Sequence, residues 1–434
     1  MRKIIAFLLF AVVCAPAMAA SQINDTEIER AVTELIEPLA DAAGIPDGRL
    51  KIHIIDDDDF NAFVTGGEDV YIYTGLLKQI KTPNALQAVV AHEMGHMIGG
   101  HMAQMRDRMA AEMKRTMLIQ ALGVGLMVAG GNPSLGAGVL AGSSGVAQQS
   151  MLAFSRDEER IADNMGIDLM IRAKLNPNGF ITVFEQMQEL TGAMESKINP
   201  NRINHPLTTE RLNNAREYIQ KNAKNTTTAK TNKNQVQEYE MVRAKLIGYL
   251  DTPNQVRNKY PYADKSEPAL YARAIANMRG GNLDGAQMGV QTLISRDGTN
   301  PYLWELLGDI EYQMGHYDDS VDAYEKSLSF AGNAPQIQTA LALVLGERNK
   351  PGDRARAIQV AKRALLAEAA PLTYWTLARA YGDSDAGRSD WAMAEYYSLI
   401  NQDSQARDYA KRAQKKLKKT DPEYIQAGDI INAK

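Results

Sequence analysis

The segment Gly281-Asn282-Leu283-Asp284-Gly285-Ala286 returns 34 residues later as Gly315-His316-Tyr317-Asp318-Asp319-Ser320. A fixed period of that length constrains the fold more than any short motif. Each unit is a helix pair that cannot bury its apolar face alone, so it must stack on its neighbours. Residues 301–335 carry the unit most fully, with Trp304, Leu307, Gly308, Gly315, Tyr317, Ser320 and Tyr324 at regular offsets. The small residues let paired helices approach, and the aromatics fill the gaps between pairs. A third unit near 335–368 shows Gly352, Ala357, Ala361 and Ala364. A less regular fourth begins at Pro371 with Trp375, Leu377, Ala378 and Tyr381, and Trp391 to Leu417 adds further helix.

Thirty-four residues is the tetratricopeptide period, and residues 266–434 are expected to form an α-solenoid of such repeats. Arrays of this kind present a concave surface that binds partner peptides or packs on the rest of their own chain. The basic run Lys411 to Lys419 reads as a solvated helix end.

The first half carries a different signature, His92-Glu93-Met94-Gly95-His96. The run Ala85-Leu86-Gln87-Ala88-Val89-Val90 before it has helical character, with Thr82 as cap and Pro83 at the first helical position. On a helix, His92 and His96 share one face and can hold one zinc ion, while Glu93 can accept the proton of an attacking water. Two buried, hydrogen-bonded histidines on a core helix are the plain alternative.

The chain's 434 residues exceed one ordinary core and point to two domains. A net charge of −4 offers no footprint for nucleic acid. Arg2-Lys3, the apolar run Ile4 to Val13 and Ala17-Met18-Ala19 read as a cleavable secretory signal over residues 1–19, which places the mature protein in a bacterial periplasm. Cleavage would remove Cys14, the sole cysteine, so the mature chain folds without disulfides. Val13 stands where a lipidated cysteine would want a small residue.

Residues 22–43 show helical spacing, including Ile23, Ile28, Val32, Leu35, Ile36 and Leu39. Lys51 to Ile55 is an expected strand, Asp56 to Asp59 a solvated loop, and Asn61 to Gly67 a turn-rich link. A second strand, Val70-Tyr71-Ile72-Tyr73, precedes the histidine helix and is expected to offer a free edge to an extended peptide. Met117 to Val128 and Leu135 to Gln149 are apolar but divided by a turn signal, so a covering helical hairpin is expected, with peripheral membrane contact as the alternative. Gln220 to Asn234 is polar. Residues 221–265 are expected to be a linker and connecting helix after a peptidase domain at 20–220.

Two histidines leave a zinc site incomplete. His101 misses the long zinc-peptidase spacing by one residue. Glu159 and Asp163 lie one turn apart at the head of another apolar helix. A glutamate there can close the site, and an aspartate one turn on can fix a ligand histidine's tautomer. Glu158 is a rival, lacking an aspartate four residues on.

Taken in order, His92-Glu93-x-x-His96, Glu159-x-x-Ala162-Asp163, Gly66-Gly67 through Thr74-Gly75-Leu76-Leu77, and His205-Pro206-Leu207-Thr208-Thr209-Glu210-Arg211 resemble the zinc peptidases that include HtpX and the prenyl-protein proteases. The resemblance implies one Zn2+ per chain held by His92, His96 and Glu159, with Glu93 as general base. It also implies that His205 can act as a regulatory fourth ligand. Arg211 reads as an oxyanion partner or a surface ion pair. With the repeats added, the mature chain resembles the β-barrel assembly-enhancing proteases. The expected fold is mainly α: an α+β zincin-like metallopeptidase domain with a small sheet, then the α-solenoid. The expected partners are unfolded or stalled outer-membrane proteins and the outer-membrane barrel assembly machinery. The rival function is a non-enzymatic periplasmic chaperone or scaffold that binds clients through its repeats.

Overall fold

The computed structural model describes residues 21–46, 48–65, 69–100, 156–193, 208–223 and 232–433. Residues 1–19, expected to be a signal, and His101, the apolar stretch 117–149 and His205 lie outside the described residues.

Helix α1 (Thr26–Ala43) starts where the Asp25 side chain accepts from the Ile28 N–H, and it ends at Gly44, whose φ of 77° is left-handed. It buries Ile28, Val32, Leu35, Ile36 and Leu39, the stripe set by the spacing. Ile23 is not part of that helix. It ends β1 (Ser21–Ile23), which pairs antiparallel with β2 (Lys51–Asp56).

The sheet is completed by β3 (Ala62–Val64) and β4 (Asp69–Tyr73), in the order β1-β2-β4-β3. This overturns the expected free edge at Val70–Tyr73. β4 is an interior strand, parallel to β2 through Ile54↔Ile72 and antiparallel to β3 through Phe63↔Tyr71. The segment read as a turn-rich link folds back to cover it, because it carries an aromatic partner. The Phe63 ring stacks on Tyr71 at 4.7 Å, and His53 stacks on the same ring at 4.6 Å. Cross-strand ring pairs of this kind fix register. Among the described residues the outer strands are β1 and β3, and β3 lies against the histidine helix.

That helix, α3 (Pro83–Ile98), follows the short α2 (Thr74–Gln79) and is capped by Thr82, which accepts from the Ala85 N–H. The domain continues with α4 (156–172), α5 (Gly179–Ala193) and α6 (Thr209–Asn222).

Helix α7 (Lys233–Leu250) is more than a connector. Tyr239, Val242 and Leu246 sit in the peptidase core, and Met241, Ala244 and Ile247 in the core of the first repeats. After α8 (Pro253–Lys259) come five helix pairs: α9 (Glu267–Arg279) with α10 (Leu283–Arg296), α11 (Pro301–Met314) with α12 (Tyr317–Ala331), α13 (Pro335–Arg348) with α14 (Asp353–Ala367), α15 (Pro371–Tyr381) with α16 (Ala386–Leu399), and α17 (Asp403–Lys416) with α18 (Pro422–Asn432). The repeat chemistry is as the pattern requires. A Cβ on Gly308 would come within 2.7 Å of the Tyr324 ring, and Ser320 donates to the Gly308 carbonyl at 2.8 Å.

The repeats fold back on α1. Lys245 of α7 is buried, with its ammonium 2.7 Å from Asp25, 3.1 Å from Glu27 and 3.7 Å from Glu305 of α11. Tyr271 of α9 donates to Glu27 at 2.8 Å, and Arg30 donates to the Tyr302 hydroxyl at 3.0 Å. Further along the same edge Thr26 meets Gln336, and Asn24 donates to Glu368 at 2.5 Å.

Candidate metal centre

Two helices build the site by crossing closely. Small residues recur every fourth position on each: Ala91 and Gly95 on α3, Ala162 and Gly166 on α4. A Cβ on Gly95 would lie 2.5 Å from the Ala162 carbonyl oxygen, and one on Gly166 would lie 2.8 Å from the Ala91 carbonyl oxygen. With no side chain between them the backbones touch. His92 and His96 from α3 then face Glu159 and Asp163 from α4.

His92 Nε2 and His96 Nε2 are 3.1 Å apart. Glu159 reaches both, with Oε2 3.4 Å from His92 Nε2 and Oε1 3.4 Å from His96 Nε2. Three ligand atoms about 2.0–2.2 Å from a tetrahedral ion lie roughly 3.3–3.6 Å apart. The donor set therefore fits a single small divalent cation. His92, Glu159 and Asp163 are buried, as is Glu93, which lines the adjoining cavity with His92 and Arg211.

The electrostatics also call for a cation. Burial would push the His92 imidazole down, but Asp163 and Glu159 raise it to about 9. Those carboxylates would hold a metal in place of that proton. Asp163 lies 2.9 Å from His92 Nδ1, placed to accept its N–H and leave Nε2 free for a ligand role. Burial acts against the Asp163 carboxylate, yet His92 and Arg211 keep it below the usual range.

Arg211 is the residue that sequence reasoning placed wrongly. It is a buried ion pair and not a surface one. Thr208 caps α6 by accepting from the Arg211 N–H, so the arginine starts the helix inside the protein. Its Nε and Nη2 donate to Asp163 at 2.9 and 2.7 Å, and Nη1 lies 2.7 Å from Glu159. Phe184 sits 5.1 Å beneath the guanidinium. Arg211 thus bridges both acidic side chains, meeting the same oxygens, Asp163 Oδ1 and Glu159 Oε2, that approach His92. The sequence hint was the apolar periodicity of α6, whose buried face is Arg211, Leu212, Ala215 and Ile219. Glu158, the rival ligand, is buried but stands outside the cluster.

The helix crossing can be tested directly. Gly95→Ala should push α3 and α4 apart, cost about 1–3 kcal/mol of stability and weaken metal binding by about tenfold or more. Metal titration and thermal unfolding would measure both, and an unchanged metal affinity would show that the close approach is not needed.

Residues 26–219 match the family model described as peptidase family M48. A β-barrel assembly-enhancing protease of Escherichia coli (strain K12) is 24% identical over 345 residues, covering 78% of this chain and 69% of that protein. The mitochondrial metalloendopeptidase OMA1 of Schizosaccharomyces pombe is 28% identical over 190 residues, 43% of this chain and 52% of that one. Metalloprotease LoiP of Escherichia coli (strain K12) is 29% identical over 168 residues, covering 37% and 59%. Among the described residues no helix is long and apolar enough to cross a membrane. Over residues 26–219 the chain is thus similar to peptidase family M48, and it is a metalloendopeptidase with a tetratricopeptide-type array, related in sequence to the β-barrel assembly-enhancing proteases.

Proposed function

We propose that this protein is a periplasmic zinc endopeptidase that hydrolyses unfolded or stalled outer-membrane proteins and assists the assembly of others at the outer-membrane barrel assembly machinery. The observation that carries the chemistry is the tetrahedral spacing of His92, His96 and Glu159 beside the buried carboxylate of Glu93. The secretory-type leader and the names of the relatives support the compartment and the clients.

A divalent ion at the three donors supplies Lewis acidity at the scissile carbonyl and makes the attacking water more acidic. Glu93 accepts the proton of that water and returns it to the leaving amine. Asp163 holds the tautomer of His92, and Arg211 holds Asp163 and Glu159. His205, which precedes α6 in sequence and lies outside the described residues, is proposed as a fourth ligand that must leave before a substrate is cut.

Substrate selection follows from two features beside the donors. The outer side of β3, which has no strand partner among the described residues, can pair with an extended backbone. An apolar cavity lined by Phe60, Leu76, Phe180, Val183 and Met187 adjoins His92 and Glu93 and suits an apolar side chain. Both demand an extended strand with its hydrogen-bonding groups free, which a folded barrel does not offer. The purified mature protein should therefore cut an outer-membrane barrel protein kept unfolded in urea traces and spare the same protein refolded in detergent. A chelator should abolish cleavage and zinc restore it. Equal cleavage of both forms, or cleavage indifferent to chelation, would overturn this reading.

A further inference from the structure

One wall of the apolar cavity beside Glu93 rests on a helix too short to place itself. Leu76, on the six-residue α2, lines the cavity together with Phe60, Asn61 and Ala62. So short a helix has little stability of its own and takes its position from its neighbours. Residues 57–61 are fastened to its start. The Gly75 N–H donates to the Asp57 carbonyl at 2.8 Å, and the Thr74 hydroxyl donates to the same oxygen at 2.9 Å. A Cβ on Gly75 would run into the Asp58 carbonyl, so the two segments touch backbone to backbone. The Tyr73 N–H completes the join by donating to the Asn61 carbonyl at 3.1 Å. Leu76, Phe60 and Asn61 are therefore placed as one piece.

The other end of α2 is held by α7, the helix shared with the repeats. The last carbonyls of a helix have no partner within it. Here the Lys78 carbonyl accepts from Arg243 Nη2 at 3.1 Å, and the Ile80 carbonyl just beyond accepts from the buried Tyr239 hydroxyl at 3.2 Å. The Lys78 ammonium lies 3.4 Å from Asp251, the residue that ends α7, and 2.6 Å from Asp58. Asp58 is exposed, so that half of the bridge is the weaker. The Lys78 and Asp251 side chains are largely buried, and their attraction is screened less. The same corner is tied to the first repeat: Arg279 of α9 donates to the Gly248 and Asp251 carbonyls at 2.8 and 2.9 Å.

We propose that Lys78, Arg243 and Asp251 are positioning residues for peptide hydrolysis, through which the repeat junction sets the shape of the apolar cavity. None of them lines the cavity. They act through α2: α7 fixes that helix, and the helix fixes Leu76 and Phe60. The proposal rests on the reading that the cavity receives an apolar substrate side chain. Its consequence is that side-chain preference depends on residues of the repeat junction, while metal binding by α3 and α4 does not.

The test is a map of cuts. The native protein and its variants digest casein, an unfolded substrate. Mass spectrometry of the products gives the ratio of cuts beside leucine, isoleucine or phenylalanine to cuts beside alanine or glycine. The native protein should strongly favour the first class. Lys78→Met should lower the ratio about tenfold, the scale of a one-methylene misfit in an apolar pocket, with zinc content unchanged. Lys78→Arg keeps the charge and should keep the native ratio. Asp251→Asn changes only the repeat side and should lower the ratio as well. The double variant Lys78→Met, Asp251→Asn should be no lower than the worse single one, because both act through one contact. A merely structural role would reduce all cuts together and leave the ratio native. That result, or losses that multiply in the double variant, overturns the proposal. A native protein without side-chain preference defeats the cavity reading and this proposal with it, and one that cuts no casein defeats the hydrolytic reading, so the three failures are distinguishable.

Discussion

Glu93→Gln should lower the cleavage rate about 10²–10⁴-fold, the range that a positioned proton acceptor contributes. Metal content and unfolding temperature should stay those of the native protein. The reason is geometric. Glu93 is one residue from His92 on α3 but outside the three-donor cluster of His92, His96 and Glu159. Glutamine keeps its shape and loses only its basicity. Glu159→Gln provides the contrast, because it weakens a donor held 3.4 Å from both histidines and should lose the metal. A Glu93→Gln protein that cuts at the native rate would remove the general base and revive the scaffold reading, in which clients are held and never cut. Inductively coupled plasma measurement of zinc beside a peptide-cleavage assay separates these outcomes.

How much of this was legible beforehand depended on range. Contacts between residues four apart on one helix can be read from spacing, which is why His92 and His96 were found. The Glu159 and Asp163 turn could be read the same way on its own helix. Their union was not a matter of spacing, since more than sixty residues separate His92 from Glu159. It came from resemblance, and the structure supplies the physical cause: small residues at Ala91, Gly95, Ala162 and Gly166 that let two backbones touch. Those four positions form a visible four-residue pattern in the sequence. The β4 strand failed for the opposite reason. Alternation identifies a strand but says nothing about what lies on either side, and a three-residue strand such as Ala62–Val64 is too short to announce itself. Arg211 failed because a charged residue in a polar loop region is usually solvated, and only the fold shows two buried carboxylates waiting for it. The repeats were the most legible part. Their helices meet neighbours close in sequence, so local period and tertiary contact coincide.

Lys245→Met should cost about 3–5 kcal/mol in denaturant unfolding at pH 8, the usual penalty for removing one partner from a buried ionic network. The ammonium is the buried cation among Asp25, Glu27 and Glu305, where α1 of the peptidase domain meets the repeats. Arg30 lies further out, paired with Glu34 and Glu238. Even with Lys245 present the cluster carries an excess of acid. Burial pushes the Glu305 carboxyl up to about 8 against the pull of Lys245, with Asp25 and Asp309 adding repulsion. Burial likewise raises Asp309, against its bond from Tyr324, and Glu27. A folded-state acid with a raised pKa keeps its proton while the unfolded chain has lost it. Stability from this junction is therefore full below the ordinary carboxylate range near 4.5 and falls as pH rises toward about 8. The native protein should accordingly be more stable at pH 5.5 than at pH 8. Glu305→Gln should flatten that slope and gain stability at pH 8. The Lys245→Met penalty should shrink in mild acid, because the carboxyls it leaves behind can be protonated. Denaturant unfolding of the three proteins across pH 5 to 8.5 tests the set. A native slope of opposite sign, or a Lys245→Met penalty that grows on acidification, would show that the peptidase domain and its repeats are held by something other than this shared proton.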